Sequence, residues 1–172
     1  MIGKILNNIY VIKGDFLVYV IEIGNELIII DSSDGDDTSI ILDGLFEIIE
    51  KSSQKPTLLI ITSYKREVAG GASFLSQVFS IPVATSRDIA PILRQGGSNG
   101  DKFQPVNVSF EISRNEIEIM EEKLQIIKSN TPVKGSFFIK YNHIMFTGAS
   151  RVSGLRNKIS YICNAYNFEK VI

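Results

Sequence analysis

The chain reads as an α/β protein of stacked layers, on three observations. Short runs of β-branched and aromatic residues are interleaved with segments whose apolar residues recur at helical spacing. The order of these runs is strands first, then strand and helix in alternation, then strands again, a plan that builds sheets covered by helices. The 172 residues are 44% hydrophobic and 22% charged, enough apolar content for a real core and too much for a disordered chain. No segment has linker composition, so residues 1–172 are expected to form one domain.

The elements follow in order. Ile9 to Ile12, Phe16 to Ile23 and Glu26 to Ile30 read as strands, separated by the turn dipeptides Gly14-Asp15 and Gly24-Asn25. The third run delivers a carboxylate, Asp31, at its end. Ser32 to Asp37 is a polar loop, and Thr38 or Ser39 is placed to cap a helix over roughly Ile40 to Lys51. There Ile41, Leu42, Leu45, Ile48 and Ile49 share a face. Thr57 to Thr62 is a continuous apolar strand. Ser63 to Gly71 is a loop ending in two glycines, and a helix is expected from about Ala72 to Phe79. Ile81 to Thr85 reads as a strand, with Ser86 capping a helix to about Leu93. Gln95 to Lys102 has loop composition, as a mobile connection or a lid over a site. Strands are expected at Val106–Ile112, Glu116–Met120, Leu124–Lys128, Gly135–Tyr141 and His143–Thr147. A helix is expected from about Asn157 to Asn167 and a last short strand from Glu169.

Counts narrow the chemistry. Lys plus Arg is 18 and Asp plus Glu is 19, so the formal charge of -1 argues against general nucleic-acid binding. The one cysteine, Cys163, excludes an intramolecular disulfide and fits a small core residue; the one histidine, His143, excludes any centre or triad that needs two imidazoles. Apolar stretches such as Leu27 to Ile30 are far too short to cross a bilayer, and no leader is visible, so a cytoplasmic protein is expected.

Three constellations carry reactive side chains. Asp31, Asp34, Asp36 and Asp37 crowd one loop but lack the spacing of a helix-loop-helix calcium site, and read as a solvated, helix-capping loop. Ser63, Ser150 and Cys163 are nucleophiles by chemistry, each wanting a base that the single His143 supplies to at most one. Lys65-Arg66 and Arg151…Arg156-Asn157-Lys158 are the basic clusters, read either as scattered solvated cations or as a patch at one end of the sheets for phosphate or nucleic-acid contact.

The sequence of motifs resembles the metallo-β-lactamase superfamily over nearly the whole chain. Asn8 to Asp15 resembles the family's opening strand, and Leu27 to Gly35 its strand-Asp-Ser-Gly segment, with the carboxylate kept at Asp31. Leu59 to Thr62 with Ala69-Gly70-Gly71-Ala72 resembles the strand and helix start around the metal loop. Ile81-Pro82-Val83-Ala84 resembles the next strand, and Met145-Phe146-Thr147-Gly148 the strand before the bridging aspartate. The resemblance implies an αββα four-layer sandwich, truncated at the C-terminus, since the chain ends at Ile172 where the family continues into Pro-Gly-His. The family carries its metals in Thr-His-x-His-x-Asp-His-x-Gly-Gly. Here that segment is Thr62-Ser63-Tyr64-Lys65-Arg66-Glu67-Val68-Ala69-Gly70-Gly71, with intact spacing and no histidine. The next ligand position falls on Pro132, or on Asn130 or Lys134 with a small gap, and the bridging aspartate on Ala149. The scaffold motifs survive while the ligands are gone.

The resemblance therefore implies a non-catalytic relative with no cofactor and no metal, acting on a protein partner, a second copy of itself or a small anionic ligand. Its vacated cleft would be lined by Asp31, Ser63, Tyr64, Lys65, Glu67, Pro132 and Ser150. Lys65 is expected to pair with Asp31 and Glu67 in place of the metals, because two buried carboxylates repel. Two alternatives remain open: a metal-independent hydrolase using Ser63 and Lys65, and an RNA-associated accessory protein.

Overall fold

A computed structural model describes residues 2–152 and 158–171 of the chain. Four strands open it as an antiparallel meander: β1 (Ile2–Leu6), β2 (Ile9–Lys13), β3 (Leu17–Ile23) and β4 (Glu26–Ile30). Helix α1 (Thr38–Ser52) then returns the chain to β5 (Lys55–Ile60), which lies parallel to β4. Short helices α2 (Arg66–Ala69) and α3 (Ala72–Phe79) lead to β6 (Val83–Ser86). After α4 (Ala90–Arg94) and a small hairpin, β7 (Gly97–Ser98) with β8 (Asp101–Lys102), strand β9 (Val108–Ile112) pairs parallel with β6. The first sheet thus has the order β1-β2-β3-β4-β5-β6-β9. The second sheet follows chain order: β10 (Glu116–Ile119), β11 (Glu122–Lys128), β12 (Phe137–Tyr141), β13 (Ile144–Gly148), β14 (Tyr161–Asn164) and β15 (Phe168–Lys170).

The isoleucine-rich runs are what strands covered on both faces require. In β4, Leu27 and Ile29 enter the core shared with the helices, whereas Ile28 and Ile30 enter the core between the sheets. In β2, Tyr10 and Ile12 divide from Ile9 and Val11 in the same way. Helices α1, α3 and α4 cover the first sheet with Ile41, Leu45, Ile48, Leu75 and Leu93, and the second sheet packs on its other face with Phe137, Ile139 and Phe146. Gly44 lets α1 sit low, since a Cβ there would fall 2.6 Å from Ile12. The molecule is an α/β sandwich with two mixed sheets. No described helix is long and apolar enough to cross a membrane.

Several elements differ from the sequence reading. Strand β1 was not anticipated; Gly3 and Lys4 interrupt its apolar pattern, yet it pairs along β2. Asp37, not Thr38 or Ser39, stands at the N-cap of α1, and its side chain makes no capping bond. The Ser86 hydroxyl accepts from the Ile89 N–H at 3.3 Å, but this closes only a turn, and α4 starts at Ala90. The Gln95–Lys102 loop contains the β7–β8 hairpin. The helix expected over 157–167 begins outside the described residues, and its described part is strand β14, parallel to β13. Ile162 and Cys163 are both buried with side chains on opposite faces, which a strand between two neighbours satisfies and a one-sided helix does not.

Candidate functional site

The parallel strands β4 and β5 end side by side, and their C-terminal ends build the site. Asp31 follows β4 with a left-handed backbone (φ 64°), and its N–H donates to Ile60 O at 2.8 Å. Thr62, just past β5, reaches back to it. The Thr62 N–H donates to Asp31 Oδ1 at 2.9 Å, and the Thr62 hydroxyl lies 3.0 and 2.9 Å from Oδ1 and Oδ2. Gly148, at the end of β13, closes over this pair; a Cβ there would lie 2.3 Å from Thr62 Oγ1. Asp31 is 4% exposed. Burial pushes its carboxyl up to about 7, against the pull of the Thr62 donors.

The glycine pair ending the loop has a steric cause. A Cβ on Gly70 would lie 2.1 Å from the Asp34 carbonyl oxygen, and one on Gly71 would lie 2.5 Å from that of Ser32. The loop after β4 therefore lies directly on the α2–α3 junction. Hydrogen bonds from the Ser32 hydroxyl to Val68 O (2.8 Å) and from the Gly71 N–H to Ser33 O (3.1 Å) join them.

Of the seven residues expected in the vacated cleft, Ser63, Lys65, Pro132 and Ser150 line one cleft of about 360 Å³, together with Ala149 and Arg151. The other three do not line it. Asp31 is sealed behind Thr62 and Gly148. Tyr64 packs against the core under the helices. Glu67 Oε2 accepts a hydrogen bond from the Tyr166 hydroxyl at 3.0 Å. The Arg151 guanidinium stands 4.2 Å from the centre of the Tyr166 ring, so Glu67, Tyr166 and Arg151 form one stack at the cleft edge. Burial, then the Glu67 carboxylate, raise the Tyr166 phenol to about 12. Of the basic clusters, Lys65 and Arg151 line this cleft, one beside Asp101 and the other on the Tyr166 ring, while Arg156 and Asn157 lie outside the described residues.

The expected Lys65 cluster is not formed. Lys65 Nζ lies 3.4 Å from Asp101 Oδ2 in β8 and makes no ion pair with Asp31 or Glu67. Asp101 Oδ1 also accepts the Arg66 N–H at 3.1 Å, so this carboxylate is fixed by the start of α2 and draws the lysine outward. Asp31 meets its burial with Thr62 donors instead of a cation.

The donor set does not fit the metal centre that the family resemblance would place here. Val68 is a buried hydrocarbon, Lys65 faces Asp101, both Asp31 oxygens face Thr62, and Glu67 holds Tyr166. Transition-metal hydrolases rely on imidazoles or thiolates at such positions. The single histidine, His143, stands on the β12–β13 turn with Nδ1 2.7 Å from Lys158 O. Cys163 is buried in β14, where desolvation raises its thiol. Among the described residues, the one group of three converging metal-type ligands is Asp15, Asp34 and Asp37, whose carboxylate oxygens lie within 4.8 Å of one another. None of the three occupies a family ligand position. Asp37 is not a solvated cap: it is buried, and its Oδ2 accepts from the Asp15 N–H (2.6 Å) and the Ser33 hydroxyl (2.8 Å).

No family model matches the chain, and no curated protein sequence matches it. Solved structures do. A HARLDQ-motif mutant of a metallo-β-lactamase from Cronobacter sakazakii superimposes with a TM-score of 0.81 at 13% identity, over 96% of this chain and 79% of that one. A B3 metallo-β-lactamase described as the first with an active-site glutamic acid gives 0.81 at 16% identity, over 99% and 82%. BJP-1, a subclass B3 metallo-β-lactamase of Bradyrhizobium japonicum, gives 0.76 at 17%, over 95% and 76%. The chain has the metallo-β-lactamase fold. At Ser63, Lys65, Val68 and Pro132, where the motif resemblance would place metal ligands, it carries no imidazole.

Proposed function

We propose that this chain is a non-catalytic protein of metallo-β-lactamase fold that works by binding a small anion in the vacated cleft. The observation that carries the reading is the cleft itself. It is open, about 360 Å³, and is lined where the resemblance places metal ligands by Ser63 and by Lys65, whose ammonium pairs with Asp101, with Arg151 at its edge. Hydroxyls and cations of this kind suit an anion, whereas no residue set there suits a hydrolytic metal.

The Ser63–Lys65 hydrolase alternative finds less support. Ser63 is 4% exposed, and its hydroxyl accepts the Lys65 backbone N–H at 3.1 Å. The Lys65 ammonium faces Asp101 instead of that hydroxyl. A general base must reach the proton it removes.

Elemental analysis of protein purified without chelator or affinity tag tests the reading, together with calorimetric titration by inorganic phosphate. Zinc, iron and manganese below about a tenth of an equivalent are expected, with phosphate binding that Lys65→Met and Arg151→Met together abolish. A near-stoichiometric transition metal, or hydrolysis of a β-lactam, overturns it.

Self-association is a second reading, favoured by the exposed Ile40 and Phe46 of α1 and Phe74 and Val78 of α3, all on the helical layer. Sedimentation equilibrium across a range of protein concentration tests it; a monomer throughout sinks it.

A further inference from the structure

The segment 129–137 has a cleft on each side. The second cleft, about 500 Å³, opens between the β6–α4 turn, the β9–β10 connection and the end of β11. It is larger than the vacated cleft and shares only Ser136 and Phe137 with it. None of the family's motif positions around Asp31 and Ser63 reaches it.

Its chemistry is two-sided. Ile112, Ile126 and Phe137 give it an apolar wall, and Arg87, Arg114 and Lys128 face it with one carboxylate, Asp88, among them. Among the described residues none of these three cations forms an ion pair, although Lys51, Lys65, Arg66, Arg94 and Lys123 all do. On a chain with a formal charge of -1, this is a local excess of unpaired positive charge. Low-dielectric walls beside such charge focus its field on whatever enters.

An independent observation lies in the wall. Ser136 is 8% exposed, and its hydroxyl has no hydrogen-bond partner. A buried hydroxyl left unpaired is costly, so Ser136 is a group for which a partner in the cleft would be favourable. The neighbouring Ser86 hydroxyl is already committed, donating to Gly135 O at 2.8 Å, so Ser136 is the free donor.

We propose that this cleft is a second ligand site, for a small organic anion with an apolar body. Its carboxylate, sulfonate or phosphate head meets Arg114, Lys128 and Arg87, its body lies on Ile112, Ile126 and Phe137, and Ser136 donates to it. A few placed polar groups over an apolar wall is the usual make-up of a small-molecule pocket. The site shares Ser136 and Phe137 with the vacated cleft, but Arg87, Arg114, Lys128, Ile112 and Ile126 line it alone, so the charge and the apolar wall belong to this cleft.

The test is fluorescence titration of the full chain with 8-anilinonaphthalene-1-sulfonate, an aryl body carrying one sulfonate. N-phenyl-1-naphthylamine, the same body without the charge, is titrated in parallel. Saturable one-site binding of the sulfonate is expected, at least about tenfold tighter than that of the neutral probe. Arg114→Glu with Lys128→Glu, both at exposed positions, is expected to weaken the sulfonate at least about fivefold. The charge-matched pair Lys13→Glu and Lys55→Glu, on exposed residues elsewhere, is expected to change it less than about twofold. Equal affinity for the two probes overturns the proposal. So does a folded Arg114→Glu/Lys128→Glu protein that binds as before, or the same loss in both charge-reversed pairs.

Discussion

Asp31 and Thr62 hold each other at the ends of two parallel strands, three contacts of 2.9 to 3.0 Å joining one threonine to one buried carboxylate. Gly148 from the second sheet closes the pair off, and the Phe137 N–H donates to Thr62 O at 3.2 Å, so both sheets meet at this threonine. Here the carboxylate serves as a structural acceptor. The Thr62 donors explain how the site keeps an acid at its base without a neighbouring cation.

The pair makes stability depend on pH. Folded Asp31 titrates near 7 against an ordinary value of 3.8, so between these values the native state binds the extra proton. Its stabilising contribution is fully present below about pH 4, declines as pH rises, and is lost through pH 7. The whole effect is worth roughly 4 kcal/mol at most. Asp31→Asn keeps an acceptor for Thr62 and tolerates the left-handed backbone. Denaturant unfolding is expected to show the variant more stable than the parent at about pH 8, with the gain vanishing toward about pH 4. An equal difference at both ends would show that Asp31 stays charged throughout.

Gly70→Ala tests the seat of the loop after β4. The added methyl would overlap the Asp34 carbonyl oxygen, a backbone atom in a segment pinned by Ser32 and Gly71. A loss of about 3 kcal/mol or more is expected. A change below about 1 kcal/mol would mean that the loop can lift freely.

How much of this was legible in the sequence divides along physical lines. The cores of β2 to β5 and the faces of α1 and α3 were readable, because periodicity records which side chains a sheet or helix must bury. Strand β14 was not: Tyr161 to Asn164 spans four residues, too few to separate a strand period from a helical one, and only pairing with β13 decides it. Ser63, Lys65, Pro132 and Ser150, named from the motif frame, line one cleft, whereas Asp31, Tyr64 and Glu67 do not. The frame misassigned the partner of Lys65, because Asp101 lies 36 residues away in a polar stretch with no pattern. The stack of Glu67, Tyr166 and Arg151 joins three distant segments, and no local signal announces it.

Asp15→Asn separates repulsion from attraction in the acidic cluster. Desolvation where the two loops meet, then the Asp34 carboxylate, raise the Asp15 carboxyl above its ordinary value. The bond from Asp15 to Asp37 uses its backbone N–H, which the substitution keeps. The thermal midpoint at neutral pH is therefore expected to rise, with the gain shrinking in high salt and in acid. A fall in the midpoint would mean that the three carboxylates are held by something positive.

Lys65 and Asp101 carry unequal loads. The lysine side chain is 38% exposed and meets only Asp101 in an ion pair, whereas Asp101 is 17% exposed and also accepts the Arg66 N–H. Lys65→Ala is expected to cost under about 1 kcal/mol, as exposed pairs do. Asp101→Ala leaves the first turn of α2 without its acceptor and frees β8, and is expected to cost about 1.5–3 kcal/mol. In the double variant the coupling should stay below about 1 kcal/mol, because most of the aspartate's contribution does not pass through the lysine. Urea denaturation of the four proteins measures all three quantities. Equal single-variant losses with a coupling as large as either would return the lysine to the centre of the site, and the outward pull of Asp101 would no longer explain why Lys65 leaves Asp31 alone.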